Sequence, residues 1–342
     1  MNTRKEFSLM TGDQRPVVYE NSFSEEDNKE FMAALPQVVH DLSTATPLAK
    51  VPQCAERIAD CLYYTARCGG NTRPLIFLYS YKKLERRENL TPENLRLACI
   101  LAWCVKVMML TPYAVACLEI LPGGGLAIRG YRIIQDMSCT LETHTVIFDD
   151  IVDESRYRYR GVCWHLRKDI GLSAIYDGEL IEKVVYALLK KHFSSHPQYH
   201  NIVEFLQDTM LEIAIGQQLD STNPGVDHLT MELFNHIVLR KGGHLFHYLP
   251  VVTAMRLANV DDPEIYQRAI PILLKMGSIF QMQDDYLDCY GDEIKLGKDF
   301  TDMRNGKTTW LVVTALEKIQ RQPAPAAAGV LRESERRGDQ NN

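Results

Sequence analysis

Two groups of carboxylates carry the chemistry that this sequence can offer. They are Asp149-Asp150-Ile151-Val152-Asp153 and Asp284-Asp285-Tyr286-Leu287-Asp288, with first members 135 residues apart. Residues i and i+4 of a helix share a face, so each group would project two carboxylates together. Such like charges repel one another, and two such faces opposed across a bundle make sense when divalent cations bridge them. Hard oxygen ligands with room for water and substrate phosphates suit Mg²⁺. A single D-D-x-x-D is weak, because it also describes a solvated helix face. With 22 aspartates in 342 residues, two such copies should arise by chance in fewer than about 0.01 chains of this length. Each copy also follows an apolar run, Thr145-Val146-Ile147-Phe148 or Ile279-Phe280.

Cations able to hold a phosphorylated ligand fall nearby. Arg156, Arg158 and Arg160 follow the first group, Lys298 and Lys307 follow the second, and Lys241 lies between them. Arginine binds phosphate through a bidentate fork and lysine as a point charge. Singly, each would pass for a surface charge; their placement gives them value.

The elements that must position these groups read as helical. Apolar residues recur at three- and four-residue spacing, which predicts helices near 27–43, 52–66, 92–108, 137–154, 178–194, 199–219, 229–240, 243–257, 263–289 and 306–320. Thr91-Pro92 and Asp262-Pro263 are start signals, a capping residue followed by proline. The expected fold class is an all-α bundle, organised as an N-terminal extension (1–25), one helical domain (26–318) and a disordered tail (319–342). Within the domain, 106–139 reads as an insertion or irregular segment, since the helical pattern gives way to Thr111-Pro112 and Leu121-Pro122-Gly123.

A formal net charge of −6 argues against nucleic acid as a partner. The nine cysteines form no C-x-x-C pair and suggest neither a disulfide framework nor a zinc site. No run reaches the length of a membrane span, and no secretory leader is evident. A cytoplasmic location is the expectation.

These residues resemble those of the trans-isoprenyl diphosphate synthases, closest to the farnesyl diphosphate synthase type. The resemblance is carried by Asp149 to Asp153 with Arg158 and Cys163-Trp164, by Gly216-Gln217-Gln218-Leu219-Asp220, and by Lys241 with Tyr248-Leu249-Pro250. It is carried further by Phe280-Gln281-Met282-Gln283 before the second group, Gly297-Lys298, Thr301-Asp302 and Lys307-Thr308-Thr309-Trp310. It implies an isoprenoid-synthase-type helical bundle around a deep central cavity, with both acidic groups near its mouth, and a homodimer. It also implies three Mg²⁺ per site, replaceable by Mn²⁺. Asp149, Asp153 and Asp284 match the metal ligands, supported by Asp150, Asp285 and Asp288. Arg158, Lys241 and Lys298 match the groups that hold a prenyl diphosphate, and Gln281, Gln217 and Lys307 belong with the substrate-binding residues. Asp149, Asp153, Asp284, Lys241 and Arg158 form the catalytic set. Mg²⁺ and the cationic side chains would draw off a diphosphate leaving group, and a water-poor cavity would protect the allylic cation so formed.

The chain departs from that pattern where the family binds its second substrate, isopentenyl diphosphate. The family's Gly-Gly-Lys-x-(Asn/Thr)-Arg-Gly reads Gly69-Gly70-Asn71-Thr72-Arg73-Pro74 here, keeping Arg73 but not the lysine. Tyr159 falls on the second arginine of the Arg-Arg-Gly pattern, and Glu142 on a glutamine. Aromatic residues four and five before the first aspartate are Thr145 and His144 here. Each lost charge-assisted contact should cost about 1.5–3 kcal/mol. The expectation is therefore a terpene synthase that ionises geranyl or farnesyl diphosphate without an acceptor. The alternative is a prenyltransferase that condenses isopentenyl diphosphate with an allylic diphosphate. A catalytically impaired homologue or splice form stands third.

Overall fold

The computed structural model describes residues 25–45, 47–67, 71–108, 118–120, 126–128, 144–158, 161–222, 225–291, 300 and 302–321. The side chains of 65–67, 108, 118–120, 126–128, 144–146, 158 and 320–321 lie outside that description. The fold is all-α. The helices are α1 (Glu25–Ala33), α2 (Leu35–Ser43), α3 (Pro52–Arg67), α4 (Thr72–Leu84), α5 (Pro92–Met108), α6 (His144–Val152), α7 (Ala174–Phe193) and α8 (Tyr199–Asp220), then α9 (Met231–Val238), α10 (Leu249–Leu257), α11 (Pro263–Tyr290) and α12 (Trp310–Arg321). Two short antiparallel hairpins are the only strand pairings among the described residues: β1 (Leu118–Ile120) with β2 (Leu126–Ile128), and β3 (Tyr157–Arg158) with β4 (Gly161–Val162).

Most predicted helices recur with shifted ends, and the departures have local causes. The span 27–43 divides into α1 and α2 because Pro36 sits in the first turn of a new helix, where its missing N–H costs nothing. Helix α4 was not predicted. Its Pro74 and aromatic-rich run hide the helical period, yet Pro74, Leu75, Phe77, Leu78 and Tyr81 are all buried. Packing against α5 and α10 decides it. The predicted starts do act as caps: the Asp262 side chain accepts from the Glu264 amide at 2.9 Å, and Thr91 Oγ1 accepts from the Asn94 amide at 3.2 Å. Helix α5 runs through Lys106 to Met108; of 106–139, only 106–108, 118–120 and 126–128 are described. The extension to residue 24 and the tail from 322 lie outside the described residues.

One continuous core runs through α1 to α8 and α10, with Leu42, Ile58, Phe77, Leu101, Val185 and Leu249 all buried. Trp103 stacks on Phe31 at 4.3 Å, and its indole N–H donates to the Phe31 carbonyl at 2.8 Å. Two buried carboxylates tie the bundle together. Asp41 on α2 takes Lys191 at 2.5 Å and His192 at 2.7 Å from α7. Asp177 on α7 takes a two-pronged contact from Arg57 on α3 at 2.6 and 2.7 Å. It also accepts the Trp164 indole N–H at 2.8 Å, which fixes the chain just after the first aspartate group. No described helix is long and apolar enough to cross a membrane.

Candidate active site

Between α9 and α10 the rod is not α-helical. Residues Leu239–Tyr248 form a π-helical stretch, a widened backbone that often marks functional sites. Its sequence, Lys241-Gly242-Gly243, explains how it packs. A Cβ on Gly277 of α11 would lie 2.7 Å from the Gly243 carbonyl oxygen, and one on Gly216 of α8 would lie 2.6 Å from the Lys241 amide nitrogen. These three helical segments approach backbone to backbone, and the contact delivers Lys241, 5% exposed, to the interior.

There the two acidic groups meet. Asp149 from α6 and Asp153 just past its end, Asp220 from α8, and Asp284, Asp285 and Asp288 from α11 line a single cavity with Lys241, Gln281, Lys307 and Asp302. Lys307 Nζ is 2.6 Å from Asp153 and 3.6 Å from both Asp220 and Asp302. Lys241 Nζ donates to Asp220 at 2.6 Å and lies 4.0 Å from Asp149. Gln217 Nε2 donates to Asp149 at 3.1 Å. The Gln281 amide reaches Asp284 and Asp285 at 3.3 Å each. Backbone amides complete the frame: Trp310 donates to Asp285 at 3.0 Å and Asp302 to Asp288 at 3.1 Å.

Seven carboxylates against two ammonium groups line this cavity among the described residues, and the imbalance perturbs them. Burial raises the Asp153 carboxyl, and the neighbouring Asp149 charge adds to the rise. Burial, with Asp302, pushes Asp285 up to about 7. Burial would also raise Asp220, but Lys241 and Lys307 overcome it and hold that carboxyl below its ordinary range. Burial alone would depress the Lys241 ammonium, yet Asp220 and Asp149 hold it above its usual value. Oxygens of Asp284, Asp285 and Asp302 all lie within 4.8 Å of one another. Gln281 Oε1 and Thr308 Oγ1, both in the cavity lining, and Gln217 Oε1 behind Asp149 are buried without a hydrogen-bond partner. Clustered carboxylates, excess negative charge and spare buried oxygens together fit hard divalent cations and their water.

Of the residues singled out from sequence, Asp149, Asp153, Asp284, Asp285, Asp288, Lys241, Gln281 and Lys307 share this cavity, with Gln217 holding Asp149 from behind. Asp150 is buried but does not line the cavity; one step along a helix turns a side chain by about 100°. Arg73 stands elsewhere, on α4, its guanidinium 4.4 Å over the Phe246 ring. The Arg158 side chain and all of Lys298, Tyr159, Arg160 and Glu142 lie outside the described residues, as do the side chains of His144 and Thr145. Two cavity carboxylates were not singled out as site residues. Asp220 stood in the quoted Gly216–Asp220 run, and its closing carboxylate in an apolar helix was the available signal. Asp302 had no signal beyond Thr301-Asp302, because only folding brings it beside Asp285.

The comparisons with known proteins agree with this geometry. A polyprenyl synthetase model matches residues 115–340. The chain is 33% identical over 299 residues to a farnesyl pyrophosphate synthase of Murgantia histrionica, covering 87% of this chain and 65% of that one. It is 31% identical over 310 residues to the enzyme of that name from Gallus gallus, covering 89% and 74%. With the Homo sapiens protein the identity is 29% over 315 residues, covering 90% and 66%. The chain thus spans 65% and 66% of the lengths of the Murgantia histrionica and Nezara viridula relatives. All three carry the name farnesyl pyrophosphate synthase, not that of the terpene synthase expected from the altered acceptor motifs. By the family model and by these identities, the chain belongs to the polyprenyl synthetase family, the trans-isoprenyl diphosphate synthases.

Proposed function

We propose that this protein is a Mg²⁺-dependent prenyltransferase of the farnesyl diphosphate synthase type, condensing isopentenyl diphosphate with an allylic prenyl diphosphate. The observation that carries the reading is the meeting of Asp149 and Asp153 with Asp284, Asp285 and Asp288 across one cavity that also holds Lys241 and Lys307. The names of the relatives support elongation rather than cyclisation.

Asp149 and Asp153 on one wall, and Asp284, Asp285 and Asp302 on the other, would hold the divalent ions. Bound there, Mg²⁺ would neutralise the diphosphate leaving group of the allylic substrate. The protein's own groups do the rest. Lys241 and Lys307 already stand as ammonium groups and would exchange carboxylate partners for phosphate oxygens, a charge-assisted contact of about 1.5–3 kcal/mol each. Gln217 and the Trp310 amide keep Asp149 and Asp285 aimed at the cavity. Phe234, Ile237 and Val238 supply apolar wall and limit the water that could quench the cation.

The test is product analysis of the purified chain with Mg²⁺. Allylic diphosphate plus isopentenyl diphosphate should give a prenyl diphosphate five carbons longer. Hydrocarbon or alcohol from allylic diphosphate alone, with no elongation, would overturn the reading and return terpene synthesis to first place.

A further inference from the structure

The segment that leads into α12 is fixed from several sides. Gly306 takes a φ of 65°, a left-handed turn that glycine adopts without strain, and the Lys307 amide then donates to the Asp302 carbonyl at 3.0 Å. Val313, one turn into α12, is fully buried against Phe234 and Val238 of α9. The Lys307 ammonium sits on Asp153 and the Trp310 amide on Asp285, so the residues between them are held at the cavity wall. Thr309 closes the helix start, its Oγ1 accepting from the Val312 amide at 3.3 Å. Thr308 lines the same cavity and is 4% exposed, yet its hydroxyl has no hydrogen-bond partner.

That hydroxyl stands apart from the other donors of the cavity. The Lys241 and Lys307 ammonium groups, the Gln281 amide and the backbone amides of Trp310 and Asp302 each already donate to a carboxylate of the lining. Thr308 does not, although carboxylates dominate the space it faces. Leaving a buried hydroxyl unpaired is costly, and a group so left calls for a partner. A hydroxyl has one proton to give and two lone pairs, so it can donate to an anion without bringing a charge of its own. A diphosphate oxygen is such an acceptor, and its charge strengthens the bond. The amides opening α12 add partial positive charge at the same wall.

We propose that the Thr308 hydroxyl binds the diphosphate of the allylic substrate, donating its proton to a phosphate oxygen. Adjacent residues thus divide the work: Lys307 supplies charge, and Thr308 supplies a directed bond from a neutral group. The leaving oxygens gain charge as the allylic C–O bond breaks, so the contact strengthens toward the transition state. The inference rests on the proposed function for the identity of the substrate, while the diphosphate contact can be measured by itself.

The experiment is calorimetric titration of the full chain with inorganic pyrophosphate at fixed Mg²⁺. Thr308→Val keeps the shape and removes the hydroxyl; it should weaken pyrophosphate binding by about 10- to 100-fold, while Thr308→Ser stays close to the unmodified chain. Thermal unfolding in chelator should place the Thr308→Val midpoint no lower than that of the unmodified chain, since no hydrogen bond is lost there. In steady-state assays, kcat/KM for the allylic diphosphate should fall by a similar factor, with KM for isopentenyl diphosphate unchanged. Unchanged pyrophosphate affinity in Thr308→Val, or an equal loss in Thr308→Ser, overturns the inference. So does weaker Mg²⁺ binding by Thr308→Val without pyrophosphate, which would assign the hydroxyl to the metal's water instead. Should Thr308→Val not fold, Thr308→Ala decides by the same comparison. Should the unmodified chain elongate nothing while pyrophosphate still separates Thr308→Val from Thr308→Ser, the proposed function fails and the diphosphate contact stands. Absent pyrophosphate binding in the unmodified chain rejects the contact.

Discussion

Replacing Lys307 by methionine tests the electrostatics of the cavity most directly. The ammonium lies 2.6 Å from Asp153 and 3.6 Å from Asp220 and Asp302, at 9% side-chain exposure. Methionine keeps the length and removes the charge, leaving Asp153 with the Asp149 charge behind it and no cation in contact among the described residues. Removing one partner of a buried pair costs about 3–5 kcal/mol. A lone carboxylate can escape by taking a proton, at about 1.4 kcal/mol for each pH unit above its ordinary value near 3.9, so the cost at pH 7 is capped at about 4 kcal/mol. For a chain of this size a loss of about 3–4 kcal/mol corresponds to a fall in Tm of roughly 4–6 °C. The assay is thermal unfolding at pH 7 in chelator and again with Mg²⁺, beside the exposed control Lys183→Met, whose surface contacts predict a shift within about 2 °C. Added Mg²⁺ should restore part of the loss by binding the folded carboxylates. A Lys307→Met midpoint within about 2 °C of the unmodified protein in chelator would refute the reasoning.

Three further outcomes follow from the geometry. Asp149→Ala and Asp284→Ala should each lower kcat/KM by about 100-fold or more, and chelation should abolish turnover in the unmodified chain; steady-state kinetics at fixed Mg²⁺ decide this. Gly277→Ala forces a Cβ against the Gly243 carbonyl, so the contact delivering Lys241 must open; the variant should lose about 1–3 kcal/mol of stability and activity with it, read by denaturant unfolding and rates. Burial would raise the Asp41 carboxyl, but Lys191, His192 and Gln37 hold it below its ordinary range. A depressed folded value stabilises at neutral pH and loses its effect as pH falls below about 4, so the stability gap between the unmodified protein and Asp41→Asn should narrow below that pH and close once the folded carboxyl is protonated.

How far the fold and site were legible depended on whether the signal was local. Helices with a three-to-four period and a capped start, such as α5 and α11, could be read directly, because amphipathicity and capping are properties of one segment. Helix α4 could not, since its apolar run lacks a period and its conformation comes from being buried against α5 and α10. The π-helical stretch was invisible for the same reason. Nothing in Leu239–Tyr248 demands a wide turn, but Gly242, Gly243, Gly216 and Gly277 permit three backbones to close on one another.

The acidic site divides along that line. Two D-D-x-x-D groups in apolar surroundings were enough to indicate a paired-carboxylate site for cations, because i and i+4 spacing fixes a shared helix face and repulsion calls for a counter-charge. Which carboxylates complete the cavity was a matter of tertiary structure alone: Asp220 reaches it from 71 residues beyond Asp149, and Asp302 from 149 residues beyond Asp153. The acceptor side shows the difference most sharply. Read along the chain, Gly70-Asn71 is a lost lysine and an argument against a second substrate. Folding sets Lys106 of α5 within hydrogen-bond reach of Asn71, 35 residues earlier in the chain, a juxtaposition that no local pattern announces.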